Sequence, residues 1–290
     1  MSPTATPAAA PAASRSRHAT SFGEHLRAWR QRRRWSQMAL ALEADVSARH
    51  LSFVETGRAE PSREMVLRLA ERLQVPLRER NTLLVAAGYA PMYRDRTLDD
   101  PAMSQARAAV ELVLRAHEPC PALALDRHYQ LVAANRAVPL FLQGLPAELL
   151  APPVNIVRLS LHPQGLAPRI VNFGQWVHHL VERLRQQLAA TADPVLEGLL
   201  AEALAVPVGD AEARLAGEWS GVVLPLQLRT PAGVWTFFST LTVFGSPNDI
   251  TLQELALEAF FPADAATAEG LRAALAQAAP AEAAGSAGAG

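Results

Sequence analysis

The chain is predicted to be multi-domain: an all-α unit of five helices built around a helix-turn-helix, then an α+β domain with one antiparallel sheet. Three observations predict this. Apolar residues recur at three- and four-residue spacing from Phe22 to Gly88, the pattern turns mixed after Pro121, and β-branched and aromatic runs dominate after Gly217. At 290 residues, half of them hydrophobic, the chain can fill two cores.

Phe22, Leu26 and Trp29 mark the first helix. Ser36 opens the second, with Leu40 and Ala41 facing inward, Ala41 being small enough for the next helix to cross closely. Asp45 takes the turn position that requires a left-handed backbone, which Gly adopts at least cost and Asp tolerates. Val46 fills the junction, and Ser47 caps a third helix, Ala48 to Glu55, with Leu51 and Val54 inward and Gly57 as its stop. Pro61 and Ser62 precede a fourth helix carrying Met65, Val66, Leu69 and Leu73, and a fifth runs from about Leu77 to Gly88. The domain boundaries expected are 1–20 for a disordered Ala/Pro/Ser/Thr lead, 21–92 for the helical unit, 93–118 for a linker and connecting helix, 119–278 for the α+β domain and 279–290 for a disordered tail.

Two short helices joined by three residues, behind the basic run Arg30, Arg32, Arg33 and Arg34, form the pattern that reads double-stranded DNA. Arg33 and Gln37 are expected at phosphates. Ser47, Ala48, Arg49, His50, Ser52 and Phe53 are expected on the face laid against base edges, Arg49 on guanine and Ala48 and Phe53 on thymine methyls. One short helix reads few base pairs, so a homodimer on two half-sites is expected, with the helix from Met103 to His117 a candidate for its surface.

Charge distribution agrees. Residues 15–100 hold 16 Arg against 11 acidic residues, a net of +5, whereas the remainder is net −6. All 27 basic residues are Arg, which with the Ala, Leu and Pro content points to a GC-rich genome, so clustering says more than identity. Cys120 stands alone, so neither an internal disulfide nor a thiolate zinc site is expected, and a reducing cytoplasmic setting fits. With no long apolar run and no hydrophobic core in the first 20 residues, neither a membrane span nor secretion is expected.

In the second half, Ala122 to Leu125 and Tyr129 to Ala133 read as a hairpin across Asp126-Arg127-His128, and Asn135 as the cap of a short helix to Leu142. Residues 155–206 are helical in pattern, with Val177, Leu180, Val181 and Leu184 the clearest stripe. Val222 to Leu228 and Val234 to Phe244 form a second predicted hairpin, Ile250 to Phe261 a third strand of that sheet and Asp264 to Ala276 a closing helix.

The N-terminal unit resembles the xenobiotic-response-element (Cro/C1-type) regulators. The run Ser47-Ala48-Arg49-His50-Leu51-Ser52-Phe53-Val54-Glu55-Thr56-Gly57-Arg58, with Ala86-Ala87-Gly88-Tyr89-Ala90-Pro91, resembles a subgroup that carries a C-terminal MmyB-like ligand-binding domain of PAS-like fold. Matching pieces are Leu125-Asp126-Arg127-His128, Ala133-Ala134-Asn135-Arg136, His162-Pro163-Gln164-Gly165-Leu166, Ile170-Val171-Asn172, Phe237-Phe238-Ser239-Thr240 and Glu258-Ala259-Phe260-Phe261-Pro262-Ala263-Asp264. The resemblance spans nearly all of Phe22 to about Leu275. It implies a bacterial one-component regulator, cytoplasmic and nucleoid-associated, whose sensory domain takes a small lipophilic ligand of the fatty-acid kind, with no cofactor.

A half-open sheet covered by helices can leave an apolar cavity, and Phe237, Phe238, Leu241, Phe244, Phe260 and Phe261 are the bulky side chains expected to shape it. His162, Arg169, Asn172, Trp176 and His178 are the expected polar anchors, Arg169 for a carboxylate.

No catalytic residue or metal site is expected. His178, His179 and Glu182 share a helix but lack a third ligand at a diagnostic spacing, and Gly217-Glu218-Trp219-Ser220-Gly221 has its serine one position late for a nucleophile elbow. Cys120, between Pro119 and Pro121, reads as a buried, inert thiol, with a redox-sensitive thiol as the alternative. The alternatives are a small-molecule enzyme or acyl-binding domain fused to a DNA-binding unit, and a C-terminal domain that serves only oligomerisation.

Overall fold

In the computed structural model, which describes residues 21–209, 223–245 and 247–285, serine hydroxyls set most helix starts of the N-terminal unit. Ser21 and Glu24 form a reciprocal capping box at α1 (Phe22–Arg32). Ser36, Ser47 and Ser62 each accept the backbone N–H three residues on, at α2 (Gln37–Glu43), α3 (Ala48–Glu55) and α4 (Arg63–Arg72). α5 (Leu77–Ala86) follows Pro76. Asp45 holds the turn between α2 and α3 at φ +52°, and Gly57 and Gly88 stand beyond α3 and α5 at +71° and +82°, as the turn chemistry requires.

Leu26, Leu40, Leu51, Leu69, Leu73, Leu83 and Leu84 fill the core of this unit. Gly23 sits where α1 meets the end of α3, and a Cβ there would lie 2.5 Å from the Glu55 carbonyl oxygen, so no larger residue fits. Beside that contact, Arg30 of α1 makes a two-point bond to Glu55 of α3, Nε to Oε1 at 2.6 Å and Nη2 to Oε2 at 2.9 Å. Nη1 of Arg30 also donates to the Trp35 carbonyl, and Gln37 donates to Glu55 Oε2 at 2.8 Å. One buried carboxylate thus ties α1, the α1–α2 turn, α2 and α3 together.

The second unit begins at Tyr93. It is built on a five-stranded antiparallel sheet of β1 (Ala122–Leu125), β2 (Leu131–Ala134), β3 (Leu226–Thr230), β4 (Gly233–Val243) and β5 (Ala256–Pro262), in the order β2-β1-β5-β4-β3. Between β2 and β3 the chain forms α7 (Val138–Leu142), α8 (Ile156–Leu161), α9 (Phe173–Thr191) and α10 (Pro194–Leu204), which pack on the sheet's inner face around Leu123, Leu125, Leu226 and Leu228. α12 (Ala265–Gly285) closes over Trp235 and Phe237 through Leu271.

Four expectations are corrected. The helix predicted as a connector, α6 (Ser104–Ala116), lies on the sheet's outer face: Val110 and Leu114 pack against Ala122, Ala124, Leu257 and Ala259, so its apolar stripe is not a free dimer surface. The strand predicted from Ile250 begins at Ala256, because Asp249 accepts the Thr251 N–H and starts a short helix, α11 (Ile250–Glu254). The hairpin predicted from Val222 has its first strand at Leu226; Val222 lies outside the described residues, as do the Gly217 to Gly221 segment, the lead at 1–20 and the tail beyond 285. Asn135 does not cap α7. It is buried, accepts the N–H groups of Ala122 and Ala137, and donates to the carbonyls of Leu114 and Cys120, which locks α6 to the start of β1.

The Arg30–Glu55 pair yields a stability prediction. Burial alone would raise the Glu55 carboxyl, but the bonds from Arg30 and Gln37 outweigh it, and Glu55 titrates below the ordinary glutamate range. A depressed folded-state value means the contribution is present above the ordinary range and is lost as pH falls through the folded value. Glu55→Gln, which leaves Arg30 buried and unpaired, should cost about 3 kcal/mol at neutral pH. Chemical denaturation of the full chain should show the gap to wild type closing as the pH is lowered.

Candidate DNA interface and ligand cavity

α3 owes its exposed face to its own periodicity. Leu51, Val54 and Glu55 point into the core, which leaves Arg49 and His50 exposed and Ser52 and Phe53 half-buried. The Arg49 guanidinium lies 5.4 Å from the centre of the Phe53 ring, an arrangement that holds the side chain extended along the helix. Ser47 accepts the His50 N–H at 3.1 Å and so fixes the helix start, while Ala48 packs partly against the core. Arg49, Arg34 and Arg58 make no ion pair among the described residues.

Two phosphate expectations change. The Arg33 guanidinium donates to the carbonyls of Leu73 at 2.9 Å and Gln74 at 3.1 Å, and so satisfies the end of α4 instead of facing outward. Gln37 turns its amide nitrogen to buried Glu55, which leaves its backbone at the α2 start as the part available to a phosphate. The arginine cluster looked uniform, but only direction around the helix separates an outward arginine from one that caps a neighbour.

In the second unit the sheet's inner face and helices α7 to α9 line an apolar cavity of about 80 Å³ that is open on one side. Leu123, Leu125, Leu226, Leu228, Phe237 and Phe260 line it from the strands, and Phe141, Val157 and Leu180 from the helices. Of the predicted ligand residues, Trp176, Phe237 and Phe260 are brought together there. Phe238 is not: strand neighbours point to opposite faces, and Phe238 stacks on Phe261, 5.4 Å between ring centres, on the outer side.

Of the polar anchors expected from sequence, all but Trp176 stand elsewhere. His162 accepts the Gln164 N–H through Nδ1 and shapes the turn after α8. Asn172 donates to the Pro225 carbonyl and accepts the Gln227 N–H, which aligns the start of β3. His178 is exposed on α9. Arg169 donates to the carbonyls of Phe141 at 3.1 Å and Gln143 at 2.6 Å, and it lines a wider surface groove together with Arg229, Thr230 and Trp235. That groove shares Phe141, Leu166 and Leu228 with the cavity. His179 packs against Trp176, and burial pushes its imidazole below the usual histidine range. Among the described residues no group of three or more His, Cys, Asp or Glu could hold a metal ion.

The polar groups that do line the cavity are Tyr129, Ser160, Trp176, Arg183 and Glu258. Arg183 Nη1 donates to both Glu258 oxygens, at 3.0 and 3.1 Å, and its guanidinium lies 5.1 Å from the Tyr129 ring centre. Burial raises the Tyr129 phenol above its ordinary range. The sequence signal was there: Arg183 interrupts the stripe of Leu180, Val181 and Leu184, and Glu258 interrupts an apolar strand. Opposite charges inside two apolar runs are expected to find one another.

The family model for the MmyB-like transcription regulator ligand binding domain matches residues 106–274, and a helix-turn-helix domain model matches residues 21–83. A search of curated proteins returned no significant match. Among the described residues no helix is long and apolar enough to cross a membrane.

Because its guanidinium serves α4, Arg33→Ala should lower stability by about 1 kcal/mol and leave the salt slope of DNA binding unchanged. Thermal denaturation and binding isotherms at several salt concentrations check the two halves separately.

Proposed function

The chain belongs to the family of transcription regulators with an MmyB-like ligand-binding domain, and on that premise we propose how its two units read DNA and sense a ligand. A homodimer sets two α3 helices into successive major grooves. In each, Arg49 takes a guanine edge, with Ser47, Ala48, His50, Ser52 and Phe53 beside it, and Arg34, Arg58 and the start of α2 hold phosphates. The observation that carries this reading is the exposed Arg49 held along α3 by Phe53, on a helix whose opposite face is fixed by Glu55.

The cavity, about 80 Å³, takes the end of a lipophilic molecule of the fatty-acid-like kind, and the adjoining groove, which shares Phe141, Leu166 and Leu228 with it, takes the rest. Support comes from the wall, which is leucine, isoleucine, valine, proline and phenylalanine apart from one neutralised ion pair, Ser160, Tyr129 and Trp176. The domain acts as a sensor rather than an enzyme, in the bacterial cytoplasm at the nucleoid. Its ligand alters DNA binding only in so far as it binds one arrangement of the dimer more tightly than another.

Arg49→Ala should flatten preference at one or two operator positions, by about 1–3 kcal/mol, in a selection from random duplexes; equal weakening on every sequence would contradict base reading. Arg58→Ala should instead weaken all sequences alike and lower the salt slope by about one. Mass spectrometry of organic extracts of the purified protein should reveal a bound lipophile, and Val157→Phe, which fills the cavity, should abolish its recovery.

A further inference from the structure

The groove beside the cavity defines the polar end of the ligand, an inference that rests on reading cavity and groove together as the ligand site. The groove measures about 700 Å³ against about 80 Å³ for the cavity. Arg169 and Arg229 line it, and no aspartate or glutamate does among the described residues. That is a local excess of positive charge in a stretch, from Pro101 onward, whose net charge is −6. Backbone carbonyls hold both side chains. Arg169 donates to those of Phe141 and Gln143, and Arg229, exposed on β3, donates to that of Pro168, the residue before Arg169, at 3.4 Å. A guanidinium has more N–H donors than these bonds use, and neither arginine is paired with an acid among the described residues. Arg183 in the cavity differs, because it donates to both oxygens of Glu258 and has no net charge to offer an anion.

We propose that the ligand is a free monocarboxylic acid whose ionised head lies in the groove on Arg229 and Arg169, with Arg229 the residue that selects the acid over its ester. The acyl chain runs from that head past Phe141, Leu166 and Leu228, which border both spaces, and ends in the cavity. One strand therefore carries both ends of the site: Leu226 and Leu228 line the cavity, and Arg229 and Thr230 follow along the groove. A carboxylate there gains charge-assisted bonds that an ester carbonyl cannot match, and it relieves the repulsion between two like charges. Because the groove is open to solvent, the gain is modest and shrinks as salt is added.

The test is calorimetric titration of the full chain with octanoic, decanoic and dodecanoic acids and with their methyl esters, at about pH 8, where the carboxyl is ionised. These chains span cavity and groove together, and acid and ester are compared at the length that binds most tightly. The acid should bind about tenfold more tightly than its ester, and the gap should narrow with added salt. Arg229→Ala should narrow the gap by about fivefold through weaker acid binding, with the ester unchanged. Arg229→Glu should make the ester the tighter ligand. Arg169 is the less clean target, since it also holds the end of α7. Ester binding as tight as acid binding in the unaltered protein overturns the head-group inference alone, and that comparison stands even where a variant fails to fold. An acid preference that survives Arg229→Ala intact overturns the role of Arg229. If neither acid nor ester binds at any length, the reading of cavity and groove as the ligand site falls, and the head-group inference with it.

Discussion

A carboxylate buried in protein stays charged only where a cation and hydrogen bonds hold it, and each unit of this chain is organised around one such carboxylate. In the first, Glu55 collects Arg30 and Gln37 and so sets α1 and α2 against α3. The face opposite Glu55 on α3 then has a defined direction, which a base-reading helix needs more than affinity. In the second, Glu258 collects Arg183 and ties α9 across the cavity to β5. Ion pairs of this kind add little net stability over a hydrophobic replacement; their consequence is that partners cannot shift independently.

The two pairs serve different ends because their surroundings differ. Arg30 and Glu55 are packed among core leucines with each guanidinium nitrogen and each carboxylate oxygen engaged, so the pair is a rivet. Arg183 and Glu258 stand at the rim of unfilled apolar space, with Tyr129 and Trp176 beside them. A rivet placed there also sets the electrostatic character of that space: polar, directional and without net charge.

Much of the first unit was legible because its determinants are local. Ser36, Ser47 and Ser62 act three residues away, and Asp45 acts on its own backbone, so each is visible in a short window. What escaped was direction: Arg33 sits among arginines that look alike in sequence, yet its helical phase aims it at the end of α4, 40 residues on. The second unit was harder for the same reason at larger scale. Phe237 and Phe238 read as one aromatic patch until strand alternation sends them to opposite faces. Ile250 carried strand propensity that the Asp249 cap overrode. Arg183 and Glu258, 75 residues apart, meet only once α9 is laid over β5.

Specificity in such a cavity has to come from its few polar groups. Leucine and phenylalanine walls discriminate between chains differing by one methylene by only about 1–3 kcal/mol, and a cell offers acyl chains of every length in its membranes. A buried donor that only one class of head group can satisfy separates candidates far more sharply, since the wrong partner leaves it unpaired. In this cavity those groups are Tyr129, Ser160, Trp176, Arg183 and Glu258, set in a wall that is otherwise apolar.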